Sequence, residues 1–226
     1  MIRVSSAEEF KRLLEALAED IVYANIHWQL FQALRDATTE QSLVWAQSKT
    51  FWYLTLRAHL DVTILRLCRA YDQERSSLHL LSWLKTIQRN RTFFEKPEFE
   101  RRLSDNPFVA SLSAEPRIPD DQVLAQDIQD CSMQDEPVKR LNLYRSNIVA
   151  HRNAKGTAVG KDLSEEFPVS WAELETLLAR AKEILNRYSN LFSATVHSTS
   201  IVGRDDYKCI FSSVAQAVER SRAGKG

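Results

Sequence analysis

Arg145 and His151 stand out as an Arg-x5-His pair inside the segment Leu141-Asn-Leu-Tyr-Arg-Ser-Asn-Ile-Val-Ala-His151. An imidazole can move a proton near neutral pH, and a guanidinium can steady a developing anionic charge; together they suit phosphoryl chemistry on RNA. At ~100° per residue, Val138, Leu141, Tyr144, Ile148 and Val149 fall on one apolar stripe, and Arg145 falls inside it. An ion withdrawn from water costs several kcal/mol unless paired. Either a carboxylate meets Arg145 in the core, or the stripe opens into a cleft or subunit interface where an anion binds. Asp61 and Asp72 are the candidate carboxylates, and Asp72 is preferred. His151 lies roughly 120° around and ~9 Å along an ideal helix from Arg145, so only the long arginine arm could bring the two together. Asn147, four residues before His151, shares its face and is placed to orient the imidazole.

The charge distribution sharpens this reading. Formal net charge is zero, without the global basic footprint of a standing nucleic-acid binder. Locally, residues 139–161 hold six basic residues and no acidic one, whereas residues 115–136 hold seven acidic residues against the single Arg117. Lys139, Arg140, Arg152 and Lys155 are the candidate RNA-binding positions. The competing reading is that the two strips pair with each other or form solvated faces.

Order and spacing of four segments carry a family resemblance. Leu65-Arg-Leu-Cys-Arg-Ala-Tyr-Asp72, Ser77-Leu-His-Leu-Leu-Ser-Trp83, Tyr144-Arg-Ser-Asn-Ile-Val-Ala-His151 and Val169-Ser-Trp-Ala-Glu-Leu174 together resemble the HEPN superfamily, in its AbiU-like, abortive-infection branch. The resemblance covers about residues 5 to 193. It implies an all-α, HEPN-type up-and-down helical bundle and a metal-independent endoribonuclease of a phage-defence or toxin–antitoxin type. It further implies a homodimer that brings two such motifs to one cleft, an RNA substrate and an antitoxin protein as a partner. Within that resemblance the RNA 2′-hydroxyl attacks the adjacent phosphorus, His151 transfers the proton, Arg145 stabilises phosphoryl charge and Asn147 orients the imidazole, with Ser146 and Asp72 in support. Two departures matter. Ser146 stands where many ribonuclease members have Asn, Asp or His, which keeps a non-catalytic RNA-, nucleotide- or protein-binding module as the alternative. Asn153 replaces the tyrosine of the subgroup silenced by nucleotidyltransferase partners, which closes that route.

Composition frames the elements that must position these groups. A chain of 226 residues with 44% hydrophobic content can bury one substantial core, and only five glycines and six prolines favour long helices. Cys68, Cys131 and Cys209 lack close metal-ligand spacing and fit a reducing cytosol. The five histidines show no HxxxH or HExxH pattern, so neither metal nor other cofactor is expected. Gly156 to Lys161 departs from a phosphate-binding loop in spacing and in following a helix. The opening residues lack the pattern of a signal peptide, and Arg57, His59, Asp61 and Arg66 interrupt the most hydrophobic stretch, so neither a secretory leader nor a membrane span is expected and a cytoplasmic location is the expectation.

Overlapping capping boxes at Ser5 and Ser6 start a helix that runs to about Ala37. A second begins at Thr38 or Thr39 and continues to about Tyr71; its apolar residues spread almost all round, as expected of a central helix. Trp45, Phe51, Trp52 and Tyr53 at helical spacing read as core. Ser76 or Ser77 caps a helix to about Arg89, with His79 near its start, and a polar connection follows with one short helix near Glu98 to Leu103. Asp120 begins another helix, Pro137 starts or kinks the next, and Gly156 stops it. Ser170 with Glu173 caps a helix to about Phe192. The division expected is 1–193 as the bundle and 194–226 as a C-terminal extension with a short helix, Asp205 to Arg220.

Overall fold

A computed structural model describes residues 2–149, 154–160, 165, 168–200 and 203–223. It is an all-α helical bundle, with no strand among the described residues. The helices are α1 (Ala7–Glu40), α2 (Ser42–Gln47), α3 (Lys49–Ala70), α4 (Leu80–Arg89), α5 (Lys96–Arg102), α6 (Val109–Leu112), α7 (Asp121–Asp130), α8 (Glu136–Tyr144), α9 (Ala154–Ala158), α10 (Trp171–Ser193) and α11 (Tyr207–Ala223). A 3-10 turn, Arg91–Phe94, precedes α5, and a π-helical turn, Arg145–Val149, follows α8.

Local chemistry explains most of the boundaries. Glu9 N donates to Ser6 Oγ while Ser5 N and Oγ both donate to Glu9 Oε2, so Ser6 caps the backbone and Ser5 holds the carboxylate at the start of α1. Asp120 caps α7 by accepting from the backbone of Gln122 and Val123. Asp135 caps α8 through Val138 N, and Pro137 in the first turn needs no partner for its missing N–H, so it starts a separate helix rather than kinking a longer one. Ser170 and Glu173 form the expected reciprocal box, and α10 then buries Leu174, Leu177, Leu178, Ala181, Ile184, Leu185, Tyr188 and Phe192 on one stripe.

Five expectations need correction. Helix α1 runs through Thr38 and Thr39 to Glu40, because Thr38 Oγ1 donates back to Arg35 O instead of capping a new helix. The long second helix is broken at Ser48, where φ −148° and ψ 53° separate α2 from α3. Its aromatic group is only partly core: Trp52 is buried, whereas Phe51 and Tyr53 are more than 60% exposed. Finally, α9 runs across Gly156, and the turn falls at Gly160, whose positive φ of 70° suits a residue without Cβ. The cap of α4 is likewise His79 and not a serine: its Nδ1 accepts from Ser82 N, and Ser82 Oγ also donates to Ser77 O.

Contacts divide the chain into two compact units, Met1–Val22 with Leu65–His197, and Tyr23–Ile64 with Ser198–Gly226. In the first, Phe10 stacks on Trp83 at 5.9 Å and meets Phe192 at 4.8 Å, while Tyr188 packs edge-on to Trp83. In the second, Leu34, Ala37, Val44, Trp52 and Phe211 form a smaller core, and α11 closes it by setting Phe211 edge-on to Trp52 at 4.7 Å.

Candidate functional site

Helix α8 brings Arg145 to its place by burying one face and fixing both ends. Val138, Leu141 and Asn142 are buried. At the N-terminal end Arg180 of α10 ion-pairs with Asp135 at 3.1 Å and donates to Asp130 O at 2.7 Å, tying the cap of α8 to the end of α7. In the middle, Asn142 Nδ2 donates to Tyr71 O at 3.0 Å and to Val138 O at 3.0 Å, pinning α8 to the chain leaving α3. Beyond Tyr144 the backbone changes from α to π hydrogen bonding over Arg145–Val149. Such turns are uncommon and recur at functional sites.

The carboxylate that meets Arg145 is Asp72. Arg145 Nη1 donates to Asp72 Oδ1 at 2.8 Å, and the same oxygen accepts from Gln73 N at 2.7 Å and Glu74 N at 3.2 Å. Asp72 is buried, at 6% exposure, whereas the Arg145 side chain is 34% exposed. The arginine is thus neither a sealed core ion nor a free surface charge: a buried carboxylate holds it from behind while a third of it faces outward. Asp61, the other candidate, pairs with Arg57 on its own helix.

The Asp72 turn is itself anchored. Gln73 Nε2 donates to Tyr71 O and Cys131 O. His79 Nδ1 accepts a backbone N–H, so its hydrogen resides on Nε2, which donates to Glu74 O at 3.1 Å. Burial pushes the His79 pKa down and keeps the ring neutral in this role. Cys68, near the Arg145–Asp72 pair, has its thiol pushed up to about 12 by burial and is no nucleophile.

Asn147 Nδ2 donates to Leu143 O at 2.8 Å, and Ser146 is exposed. His151 and Arg152 lie outside the described residues, as does the side chain of Lys155. Lys139 pairs with Glu136 at 3.0 Å, and Arg140 Nε stands 2.7 Å from Glu173 Oε1 without hydrogen-bond alignment. The Glu173 carboxyl is held below its ordinary value: burial opposes this, but hydrogen bonds from Ser170 and the charge of Arg140 outweigh it. The basic strip therefore has acidic neighbours, drawn mostly from α10 and the Asp72 turn; of its described pairs, only Lys139–Glu136 joins the two strips noted in the sequence.

The apolar stripe thins along the same path. Val138 and Leu141 are buried, Tyr144 and Ile148 are partly covered, and Val149 is 36% exposed. Sequence reasoning overlooked the supporting groups Asn142, Gln73, His79 and Arg180. Asn142 could have been found, since it stands four residues after Val138 beside the apolar stripe, where a buried amide requires partners. The backbone-mediated roles of Gln73 and His79 left no such signal.

Among comparisons with known proteins, no curated protein and no solved structure matches. The model of the HEPN AbiU2 family, described as AbiU2, matches residues 7–210 and so takes in Asp72, the whole of α8 and the Arg-x5-His segment. With nine-tenths of the chain under that match, the protein belongs to the HEPN AbiU2 family.

Proposed function

We propose that this protein is a metal-independent endoribonuclease of a phage-defence or toxin–antitoxin type. The observation that carries the reading is Arg145, held by buried Asp72 at the start of a π turn with a third of its side chain exposed, six residues before His151 in a HEPN AbiU2 chain. In this reading the RNA 2′-hydroxyl attacks the neighbouring phosphorus and the 5′-oxygen leaves, giving a 2′,3′-cyclic phosphate and a 5′-hydroxyl. His151 moves the proton, Arg145 stabilises the charge growing on the phosphoryl oxygens, and Asn147 orients the ring or contacts phosphate. A fixed guanidinium suits that task because its orientation costs nothing at the moment of reaction.

The working form is a cytoplasmic homodimer whose axis runs beside α8. Its thinning stripe, Tyr144, Ile148 and Val149, would be covered by the second copy, and Lys139, Arg140, Arg152 and Lys155 would line the shared groove for RNA. An antitoxin protein is the expected further partner. Light scattering on Ile148→Asp tests the dimer: dissociation supports this interface, and a wild-type monomer or an indifferent dimer removes it. For the chemistry, the test is an RNA substrate carrying one 2′-deoxy residue at the scissile position. Cleavage elsewhere with cyclic-phosphate ends and none at the deoxy site supports the mechanism; cleavage at the deoxy site contradicts it.

Ser146 and the ion pairs of Lys139, Arg140 and Arg145 favour a second reading, an RNA-, nucleotide- or protein-binding module without catalysis. Saturable RNA binding with intact RNA after long incubation would select it.

A further inference from the structure

The second unit contains a cleft of about 430 Å³ whose lining comes from α1, α2, α3 and α11 together with Ser48 between them. That volume falls within the ~300–1,000 Å³ of small-molecule sites. Leu30, Leu34, Val44, Trp52 and Val214 make its walls apolar, and Phe51 and Ile210, also lining it, are 61% and 57% exposed. Two of its polar groups are already used: Thr55 Oγ1 donates to Phe51 O, and Gln47 Nε2 donates to Leu43 O.

His59 is different. Its Nδ1 stands 2.9 Å from Nδ1 of His27, a distance that requires one hydrogen shared between the two rings. The accepting ring must then carry its own hydrogen on Nε2, and the donating ring keeps a lone pair there. Such a pair can take up one proton at that lone pair without losing the Nδ1–Nδ1 bond, becoming a shared monocation. Burial first, and then the neighbouring His27, hold the pKa of His59 below its ordinary value. An anion beside the ring would offset both effects.

We propose that this cleft binds an apolar monocarboxylate, its hydrocarbon part against Leu30, Leu34, Trp52 and Val214 and its carboxylate against the His59 ring of the His27–His59 pair. The nearly all-apolar lining excludes a highly charged ligand such as a nucleotide, whose phosphates would lie unpaired against hydrocarbon. A single imidazole in that lining, His59 bonded to His27, matches a single charge. The family match ends at Ile210, so of the α11 wall Tyr207 and Ile210 lie within the matched region and Val214 lies beyond it.

Decanoate below its micelle concentration, with 1-decanol as the uncharged control, tests the site in the full-length protein by titration calorimetry and by the ring resonances of His59. The expected result is that decanoate binds about tenfold or more tightly than decanol, a difference of about 1.4 kcal/mol. His59→Phe should remove that preference while leaving decanol binding intact, and Val214→Trp, checked for folding by circular dichroism, should abolish both. Equal affinity for acid and alcohol, undiminished decanoate affinity in His59→Phe, or no binding at all would overturn the proposal. So would a wild-type dimer that Val214→Trp dissociates, since the cleft would then be covered by a second copy of the chain.

Discussion

Replacing Arg145 by alanine separates the fold from the site, and the geometry sets how much each should lose. Breaking a fully buried ion pair costs about 3–5 kcal/mol, whereas an exposed pair is worth about 0–1 kcal/mol. The Asp72–Arg145 pair lies between these limits, because Asp72 is buried but the arginine side chain is 34% exposed. Asp72 also keeps two backbone donors, Gln73 N and Glu74 N, when the arginine is removed. Arg145→Ala should therefore destabilise by roughly 1.5–2.5 kcal/mol, below the full cost of stranding a buried charge. Asp72→Ala should cost about 3 kcal/mol, since three accepted hydrogen bonds at about 1 kcal/mol each are lost and three donors are left without an acceptor. The double mutant should show a coupling energy of about 1–2 kcal/mol in urea melts. Additivity within about 0.3 kcal/mol would refute the pair and the positioning argument built on it.

Three further outcomes follow from other parts of the chain. His79, His59 and His197 all have pKa values lowered chiefly by burial, so the folded protein binds fewer protons than the unfolded chain just below the ordinary histidine value. Stability should be complete above about pH 6.5 and fall as pH drops through the folded values; His79→Asn, which keeps a capping acceptor, should flatten part of that slope in melts from pH 7.5 to 5. Phe211→Ala should cost about 3–5 kcal/mol and shift Trp52 emission to the red, because Phe211 is buried edge-on to Trp52; an unchanged spectrum would place α11 elsewhere. Of the three cysteines only Cys209 is exposed, so one thiol should react with a disulfide reagent in the native protein and three after unfolding.

The helical order was readable because capping chemistry is local. Asp120 and the Ser170–Glu173 box satisfy backbone donors within four residues, Pro137 removes one from the first turn of its helix, and the elements begin where they should. Misreadings arose where a local signal had two uses. Thr38 could cap a new helix or donate back to Arg35, and His79 shows no capping signature in sequence although its ring accepts a backbone N–H. Exposure of Phe51 and Tyr53 was illegible for a different reason: periodicity tells which residues share a face, not whether a neighbour covers it. At the site, an arginine on an apolar stripe called for either a carboxylate partner or an opening where an anion binds, and resemblance favoured Asp72 over Asp61 as the carboxylate. The Asn142 bridge to Tyr71 depends on a long-range backbone position, and the π turn and the His79 bond to Glu74 on local backbone conformations, none of which a spacing encodes.

The most direct measurement is the rate of RNA cleavage by the wild-type protein and by His151→Ala, with EDTA present and product ends identified. Metal-independent cleavage through His151 predicts wild-type activity undiminished by the chelator, 2′,3′-cyclic phosphate and 5′-hydroxyl ends, and a loss on the order of a hundredfold or more in His151→Ala with melting unchanged. Equal rates in the two proteins, or activity that the chelator removes, would contradict it.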